Sequence, residues 1–253
     1  MARPTMPTVI DKRPVVRVVL PAGPVIGHET DFEAGLGKIE SAGCEVRWDV
    51  KGAVQSWRDY YSGTDQERLT EFQTALSESD VDIIWCGRGG SGSNRIADLI
   101  VAHARHVSRP KIVIGFSDIT AIINPLSQQL GWTTYHGPVV TSLAKAEIST
   151  NIDTIMKFVC GHTSSMTLPK KIDGPAVDGR LYGGNLTVLA SMVGTSTAPK
   201  NESRSIWLLE DVGESAYRLD RSFNQLIRSG LFDGAHAIWL GDLGLSDENQ
   251  ESE

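Results

Sequence analysis

Cysteine is scarce in this sequence, with three residues among 253. Cys44, Cys86 and Cys160 are odd in number and far apart, so they predict neither a disulfide framework nor a cysteine-based metal site. Thiols that stay reduced are typical of the cytoplasm, and we therefore expect a cytoplasmic protein.

A long apolar run is also missing. The amino-terminal region lacks a continuous apolar stretch followed by a small-residue cleavage site, so we expect no secretory signal peptide. The apolar run at residues 15–20 has the length of a β-strand and is too short to cross a bilayer. We therefore expect no membrane partner.

The sequence has no excess of basic residues. Its 24 Lys and Arg are outnumbered by 31 Asp and Glu, which gives a net charge of -7. Because binding to nucleic acid or to an anionic membrane requires basic groups that neutralise phosphates, this balance argues against both as the main partner.

Histidine is limited to six residues, which matters because a catalytic serine needs a general base. No two of them have the spacing of metal ligands, and no H-E-x-x-H motif occurs, so we expect no metal site. His136, directly before Gly137-Pro138, has a motif-like setting, and His28 follows a Pro-Gly turn. The other four are expected on helix faces or in loops: His103, His106, His162 and His236.

What the first half contains is a regular alternation of apolar and amphipathic segments. The apolar segments are continuous, which is typical of strands in a parallel sheet covered on both faces. The predicted strands are residues 15–20, 45–50, 81–86 and 111–115. The predicted helices are residues 31–41, a segment opening at Thr64, one from about Arg95, and residues 119–130 with a break at Pro125.

Two of these helices carry the spacing of a capping box at their start. Thr30 with Glu33, and Thr64 with Glu67, place a hydroxyl and a carboxylate three residues apart.

The second half predicts a smaller unit of short strands and helices. Its elements are a helix at 151–159, a short strand before Asn185, a small helix, strands at 205–209 and 237–240, and a helix at 217–229. We predict an α/β fold with a parallel-sheet amino-terminal domain, residues 1–165, whose helices cover both faces. A smaller mixed α/β carboxy-terminal domain follows, residues 175–253.

A glycine-rich segment, residues 87–92, follows the third strand and matches G-x-G-x-x-G. A dinucleotide-binding loop is one interpretation, but that fingerprint belongs after the first strand, and the spacing to the candidate ribose acid Asp118 is longer than expected. The segment is equally consistent with a loop that supplies N–H donors to an oxyanion, or with an ordinary glycine turn.

Ser117 lies in Gly115-Phe116-Ser117-Asp118, where a strand turns into a helix. A serine on such a turn exposes its hydroxyl, and N–H groups at the helix start can hold negative charge. The second glycine of the G-x-S-x-G elbow is missing, and the segment is also consistent with a simple helix N-cap. Glu210-Asp211, at the end of another strand, are typical of a cap, of solvated charges, or of the acid of a triad.

Taken together, these segments resemble the LD-carboxypeptidase family of serine peptidases. Six ordered segments spread over about 200 residues carry the resemblance, which favours a nucleophile over an N-cap at Ser117. They are Pro21-Ala22-Gly23-Pro24, Arg88-Gly89-Gly90-Ser91-Gly92, the segment from Ile114 to Thr120, His136-Gly137-Pro138, Gly183-Gly184-Asn185-Leu186, and Leu209-Glu210-Asp211-Val212-Gly213-Glu214 with Tyr217-Arg218.

The resemblance implies a homodimeric enzyme without a cofactor. It implies cleavage of the amide between an L- and a D-centre, with release of D-alanine from murein tetrapeptides in cytoplasmic peptidoglycan recycling. Ser117 matches the nucleophile, Glu210 the acid of a Ser-His-Glu catalytic triad, and the N–H groups of Gly90 and Asp118 the oxyanion hole.

The sequence departs from the family at the triad histidine. In the family this histidine follows the strand that corresponds to residues 237–240, and residues 241–253 contain none. We expect either a truncated form or an unusual member, and a triad without its base keeps only residual catalysis. His136 matches a different family position and is not assigned as the base.

Two alternatives stay open on the sequence alone. One is the related microcin-immunity branch, which hydrolyses aminoacyl-nucleotide analogues. The short connection between Gly183 and Glu210 leaves little room for a large binding insert and favours the murein substrate. The other is a muropeptide-binding protein without catalysis, which the missing histidine motivates.

Overall fold

The computed structural model describes residues 9–49, 58, 60–145, 152–162 and 176–244. The chain forms two compact units, Met1–Lys170 and Lys171–Glu253.

The first unit is built on a five-stranded parallel sheet. Its strands are β1 (Val15–Val19), β2 (Glu45–Arg47), β3 (Ile83–Cys86), β4 (Ile112–Gly115) and β5 (Thr134–His136). They lie in the order β2-β1-β3-β4-β5, and every neighbouring pair is parallel. The strand order changes direction between β1 and β3, and in such sheets ligands bind beyond the carboxyl ends of the strands near this point.

Helices cover both faces of this sheet, as the sequence predicts. They are α1 (Glu29–Ser41), α2 (Asp65–Ser77), α3 (Ala97–Ala104), α4 (Thr120–Leu130) and α5 (Ile152–Val159). Alternate residues of β3 belong to different cores: Ile84 packs among residues of α2, α3 and α4, whereas Trp85 packs among residues of α1 and α5. Burial on both faces explains why the strands are continuously apolar.

The two predicted capping boxes have different outcomes. At Thr64 the box is present, because the Thr64 hydroxyl accepts the Glu67 N–H (3.3 Å) and the Glu67 carboxylate accepts the Thr64 N–H (2.8 Å). At Thr30 the prediction is wrong: α1 begins at Glu29, and His28 occupies the N-cap without a side-chain bond.

Other boundaries also differ from the predicted ones. The predicted break at Pro125 is absent, because α4 continues from Thr120 to Leu130. A proline inside a helix removes one N–H donor and disfavours the helix. Pro125 is buried with most of α4, and tertiary packing outweighs this local preference. The strand predicted at 45–50 ends at Arg47, and residue 50 lies outside the described residues.

The second unit contains a smaller parallel sheet, which confirms the predicted fold class. Its strands are β6 (Arg180–Asn185), β7 (Ser205–Glu210) and β8 (Ala237–Leu240), paired in that order. Two helices, α6 (Leu186–Met192) and α7 (Ala216–Arg228), contribute to a core around the fully buried Trp207. Within the described parts of both units, no helix is long and apolar enough to span a membrane.

Candidate active site

Ser117 lies on a strained turn between β4 and α4. Its φ is 60°, in the left-handed region that residues other than glycine rarely occupy, and Phe116 before it is extended. Ser117 begins a 3₁₀ turn, Ser117–Ile119, which runs into α4. The turn is too tight for a side chain at Gly115, where a Cβ would lie 2.7 Å from the side chain of Ile119. The Ser117 side chain does not cap a helix, because Phe116 and Ile119 hold the two N-cap positions.

The glycine-rich segment packs directly against this turn. A Cβ on Gly89 would lie 3.1 Å from the Cβ of Ser117 and 3.3 Å from its Oγ. The Gly89 carbonyl accepts the N–H of Gly23 (2.9 Å), from the turn after β1. Segment 87–92 and Ser117 are therefore neighbours, and the turns after β1, β3 and β4 meet here.

The backbone N–H groups of Gly90 and Asp118 both belong to this meeting point. Gly90 has a φ of 113°, and a Cβ there would lie 3.1 Å from the Cα of Gly23. Asp118 lies in the first turn of a helical segment, where N–H groups have no acceptor within the helix. Neither N–H donates to another residue in the described parts of the chain. Two such donors beside a serine hydroxyl can stabilise an oxyanion.

The side chain of Asp118 binds the backbone directly after the glycine-rich segment. It is buried, and it accepts the N–H of Ser93 at 2.7 Å. Burial raises the pKa of Asp118, and the N–H groups of Ser93 and Gly92 and the charge of Arg68 oppose this rise.

Arg68 is a further residue beside this turn, and it is not among the residues predicted from the sequence. Its side chain is 1% exposed, and its guanidinium donates to the carbonyls of Pro21 and Gly92, at the ends of two turns that border Ser117. It also pairs with Asp65. A signal for it exists in the sequence, because Arg68 precedes Phe72 by one helical turn and so shares the apolar face of α2.

His136 lies beside this region but is neutral at physiological pH. It is paired in register with Gly115, and its ring packs edge-on against Phe116 with centroids 6.2 Å apart. Burial lowers the pKa of His136 to about 4. A group with this pKa is poorly matched to general-base catalysis near neutral pH, where the best bases have a pKa close to the working pH.

In the second unit, Glu210 ends β7, and Asp211 directly follows it. Asp211 is structural: its carboxylate accepts the Asn185 side-chain amide (2.9 Å) and both the N–H (3.0 Å) and hydroxyl (2.7 Å) of Thr187. Asn185 in turn caps α6 by accepting the N–H of Val188 at 3.0 Å. The motifs around Gly183 and Glu210 are therefore fastened to each other through the side chain of Asp211 and through the parallel pairing of Asn185 with Glu210.

Glu210 has an environment that disfavours its charge. Burial, with the neighbouring carboxylates of Asp211 and Asp242, raises the pKa of Glu210 from 4.5 to about 7. A Cβ on Gly241 would lie 3.2 Å from the Cβ of Glu210, so the adjacent strand end is kept free of a side chain. A cation beside Glu210 would favour its ionised form, as a triad acid requires.

In the described ranges, no group of three or more His, Cys, Asp or Glu side chains could hold a metal ion. The geometry thus offers a strained serine with two N–H donors in one unit and a carboxyl of raised pKa in the other.

Two family domains match this chain. The LD-carboxypeptidase N-terminal domain matches residues 16–137, and the LD-carboxypeptidase C-terminal domain matches residues 178–253.

Relatives match over most of the chain. A protein of Streptomyces coelicolor named as a candidate carboxypeptidase is 34% identical over 247 residues, covering 89% of this chain and 74% of the relative. The murein tetrapeptide carboxypeptidase of Pseudomonas aeruginosa is 32% identical over 238 residues, covering 89% and 75%. The microcin C7 self-immunity protein of Escherichia coli is 26% identical over 282 residues, covering 94% and 81%.

A solved structure shares the fold. The crystal structure of muramoyltetrapeptide carboxypeptidase from Oxalobacter formigenes has a TM-score of 0.73 and 26% identity, and covers 94% of this chain and 81% of that one.

Proposed function

Because the chain belongs to the LD-carboxypeptidase family of serine peptidases, we propose that it releases D-alanine from murein tetrapeptide by hydrolysing an L,D-amide bond. The relatives named for murein tetrapeptide carboxypeptidase activity support this substrate. The observation that carries the proposal is the left-handed backbone of Ser117, held at the end of β4 against Gly89. Strain of this kind is typical of residues whose exact placement serves a function.

In the proposed reaction, the Oγ of Ser117 attacks the carbonyl carbon of the scissile amide, and its proton passes to a general base. The N–H groups of Gly90 and Asp118 stabilise the oxyanion that forms. The C–N bond then breaks, the amine of D-alanine leaves with the transferred proton, and water hydrolyses the serine ester.

Glu210 is proposed as the acid that orients the base. Burial raises the pKa of Glu210 to about 7, and an imidazolium beside it would lower that pKa and favour the ionised carboxylate that a triad acid requires. The base is not assigned to a residue, since His136 has too low a pKa for this role. We further propose that the protein works as a homodimer in the cytoplasmic recycling of peptidoglycan.

The test is to incubate the protein and its Ser117→Ala variant with murein tetrapeptide and to measure released D-alanine. We expect release that depends on Ser117. Equal release by both proteins, or no release by either, would contradict the catalytic proposal. Tight binding of the tetrapeptide without release would instead favour a muropeptide-binding protein.

A second candidate is hydrolysis of aminoacyl-nucleotide analogues. The similarity to the microcin C7 self-immunity protein over nearly the whole chain motivates it. A competition experiment separates the two candidate functions. The protein is incubated with a murein tetrapeptide and an aminoacyl sulfamoyl nucleoside together, and the preferred substrate is consumed first and inhibits turnover of the other.

A further inference from the structure

A carboxypeptidase acts next to a free carboxylate, and this inference rests on the proposed function. In a substrate that ends in D-alanine, the carboxylate carbon is three bonds from the scissile carbonyl carbon, which is at most about 4 Å away given ordinary bond lengths of ~1.3–1.5 Å. A cationic group that recognises the carboxylate therefore has to border the serine and the oxyanion donors.

Arg88 is a cation in this position. It precedes Gly89, which lies against Ser117, and its Nη1 would be 2.8 Å from a Cβ on Gly23. The backbone of Gly90 lies against the same glycine, because a Cβ added to Gly90 would be 3.1 Å from the Cα of Gly23. The guanidinium and the proposed oxyanion donor thus flank one glycine.

The charge of Arg88 has no acidic partner among the described residues. The guanidinium donates one hydrogen bond, from Nη1 to the carbonyl of Pro24 at 2.9 Å. Burial lowers the pKa of Arg88, and no carboxylate opposes that effect. Half-buried arginines are ordinarily paired with an acid. Because Arg88 has no acidic partner among the described residues and lies near Ser117, we infer that its guanidinium binds an anionic ligand.

The neighbouring arginines show the contrast. Arg68 and Arg95 both pair with Asp65, each at 2.5 Å. Each of these arginines has an acidic partner within the protein, and Arg68 is also almost completely buried. Arg88 differs from both in keeping donors available next to the exposed Gly90.

We propose that Arg88 binds the terminal carboxylate of the substrate and so makes the enzyme specific for a free C-terminus. Guanidinium N–H groups not used by Pro24 donate to the carboxylate oxygens, in the planar geometry that makes arginine suited to carboxylates. The bond to Pro24 holds the side chain in place before the substrate arrives.

The test compares two peptides that differ only in charge at the C-terminus: murein tetrapeptide ending in D-alanine, and the same peptide ending in D-alaninamide. Binding is measured by calorimetry on the Ser117→Ala protein, which leaves the ligand intact. We expect the acid to bind about tenfold to a hundredfold more tightly than the amide, the usual range for a charge-assisted hydrogen bond.

In the double variant Ser117→Ala/Arg88→Gln, we expect the affinities for the acid and the amide to lie within about twofold of each other. The affinity for the amide should stay unchanged. Arg88→Lys keeps the charge and should retain part of the preference. Arg95→Gln, a nearby arginine paired with Asp65, is the matched control and should retain all of it.

Three outcomes would overturn the inference: a preference for the acid that survives Arg88→Gln, an equal loss of affinity for both peptides, and no binding of either peptide. Equal loss would mean that Arg88 only fastens the segment to Pro24. Release of D-alanine by the unmodified protein is measured separately. If D-alanine is released but the acid is not preferred, the proposed function is supported and the role of Arg88 is wrong. If the acid is preferred but no D-alanine is released, the role of Arg88 is supported and the proposed function is wrong.

Discussion

Gly89 lies so close to Ser117 that a Cβ added to Gly89 would make an unusually tight contact, 3.1 Å from the Cβ of Ser117 and 3.3 Å from its Oγ. The contact fixes the hydroxyl from one side, while the turn after β4 fixes it from the other. Because the carboxyl ends of adjacent parallel strands meet at one edge, β3 and β4 bring the two residues together.

Gly89→Ala is therefore expected to move the Ser117 hydroxyl. A displacement of about 1 Å costs an enzyme about 10²-fold in rate. The tight contact calls for a smaller shift, so we expect kcat for D-alanine release to fall by less than about 10²-fold. The control is Gly37→Ala in α1, where an added Cβ has nothing within 4 Å. That variant should keep full activity and gain about 0.5–1 kcal/mol in stability. Unchanged kcat in Gly89→Ala would show that the contact does not position the hydroxyl.

The strain at Ser117 predicts an unusual order of stability between two variants at this position. With a φ of 60°, Ser117→Gly should be more stable than Ser117→Ala by about 1 kcal/mol, since only the alanine keeps a Cβ in the left-handed region. Denaturant unfolding of both variants measures the difference.

The control for this order is an exposed position inside a helix. At Thr74 in α2, alanine should be more stable than glycine by about 1 kcal/mol, the ordinary order. If alanine were also the more stable residue at position 117, the left-handed backbone would not persist in solution.

The sequence predicts the sheet because its local signals agree with its tertiary environment. Continuous apolar strands such as Ile83–Cys86 are buried on both faces, so apolarity alone identifies them. Helix boundaries are less predictable, as the two capping boxes show. The spacing at Thr30 equals that at Thr64, yet α1 starts one residue before Thr30. Packing of α1 sets its position, since a Cβ on Gly35 would lie 2.1 Å from the carbonyl oxygen of Val140.

At the candidate site, the sequence locates Ser117 and the glycine-rich segment at adjacent strand ends, and their contact is present. The helical spacing places Arg68 on the apolar face of α2, but it does not reveal which groups the guanidinium binds. Only the fold shows that its guanidinium reaches the carbonyls of Pro21 and Gly92, which are 47 and 24 residues away in sequence. The roles of Ser117 and Glu210 stay predictions.

Arg68→Met should destabilise the first unit strongly. The variant loses the hydrogen bonds that Arg68 donates to the carbonyls of Gly63, Pro21 and Gly92, and it removes the positive charge near the buried carboxylate of Asp118. Removing one partner of a buried charge network costs about 3–5 kcal/mol, measured as a lower denaturant midpoint. Arg105→Met is the control: Arg105 makes an exposed bond to Gln129, and its loss should change stability by no more than about 0.5 kcal/mol. A loss below about 1 kcal/mol at Arg68 would rule out an anchoring role.

Stability should depend on the protonation of Glu210. Burial and two neighbouring carboxylates raise the pKa of Glu210 to about 7 in the folded chain, from 4.5. The folded state therefore binds the proton more tightly than the unfolded state, so this contribution is fully present below about pH 4.5 and is lost as pH rises through 7. The raised pKa of Glu71, also about 7, acts in the same direction.

Glu210→Gln removes one of these two titrations. Between pH 5 and pH 8 its free energy of unfolding should fall less than that of the unmodified protein, by about 1 kcal/mol once solvent screening of this partly exposed carboxyl is included. Urea titrations at several pH values measure the two slopes. Glu33→Gln, at an exposed position of α1, should leave the slope unchanged. Equal slopes for Glu210→Gln and the unmodified protein would mean that Glu210 ionises in the folded chain as it does in the unfolded one, and the environment proposed for the triad acid would be wrong.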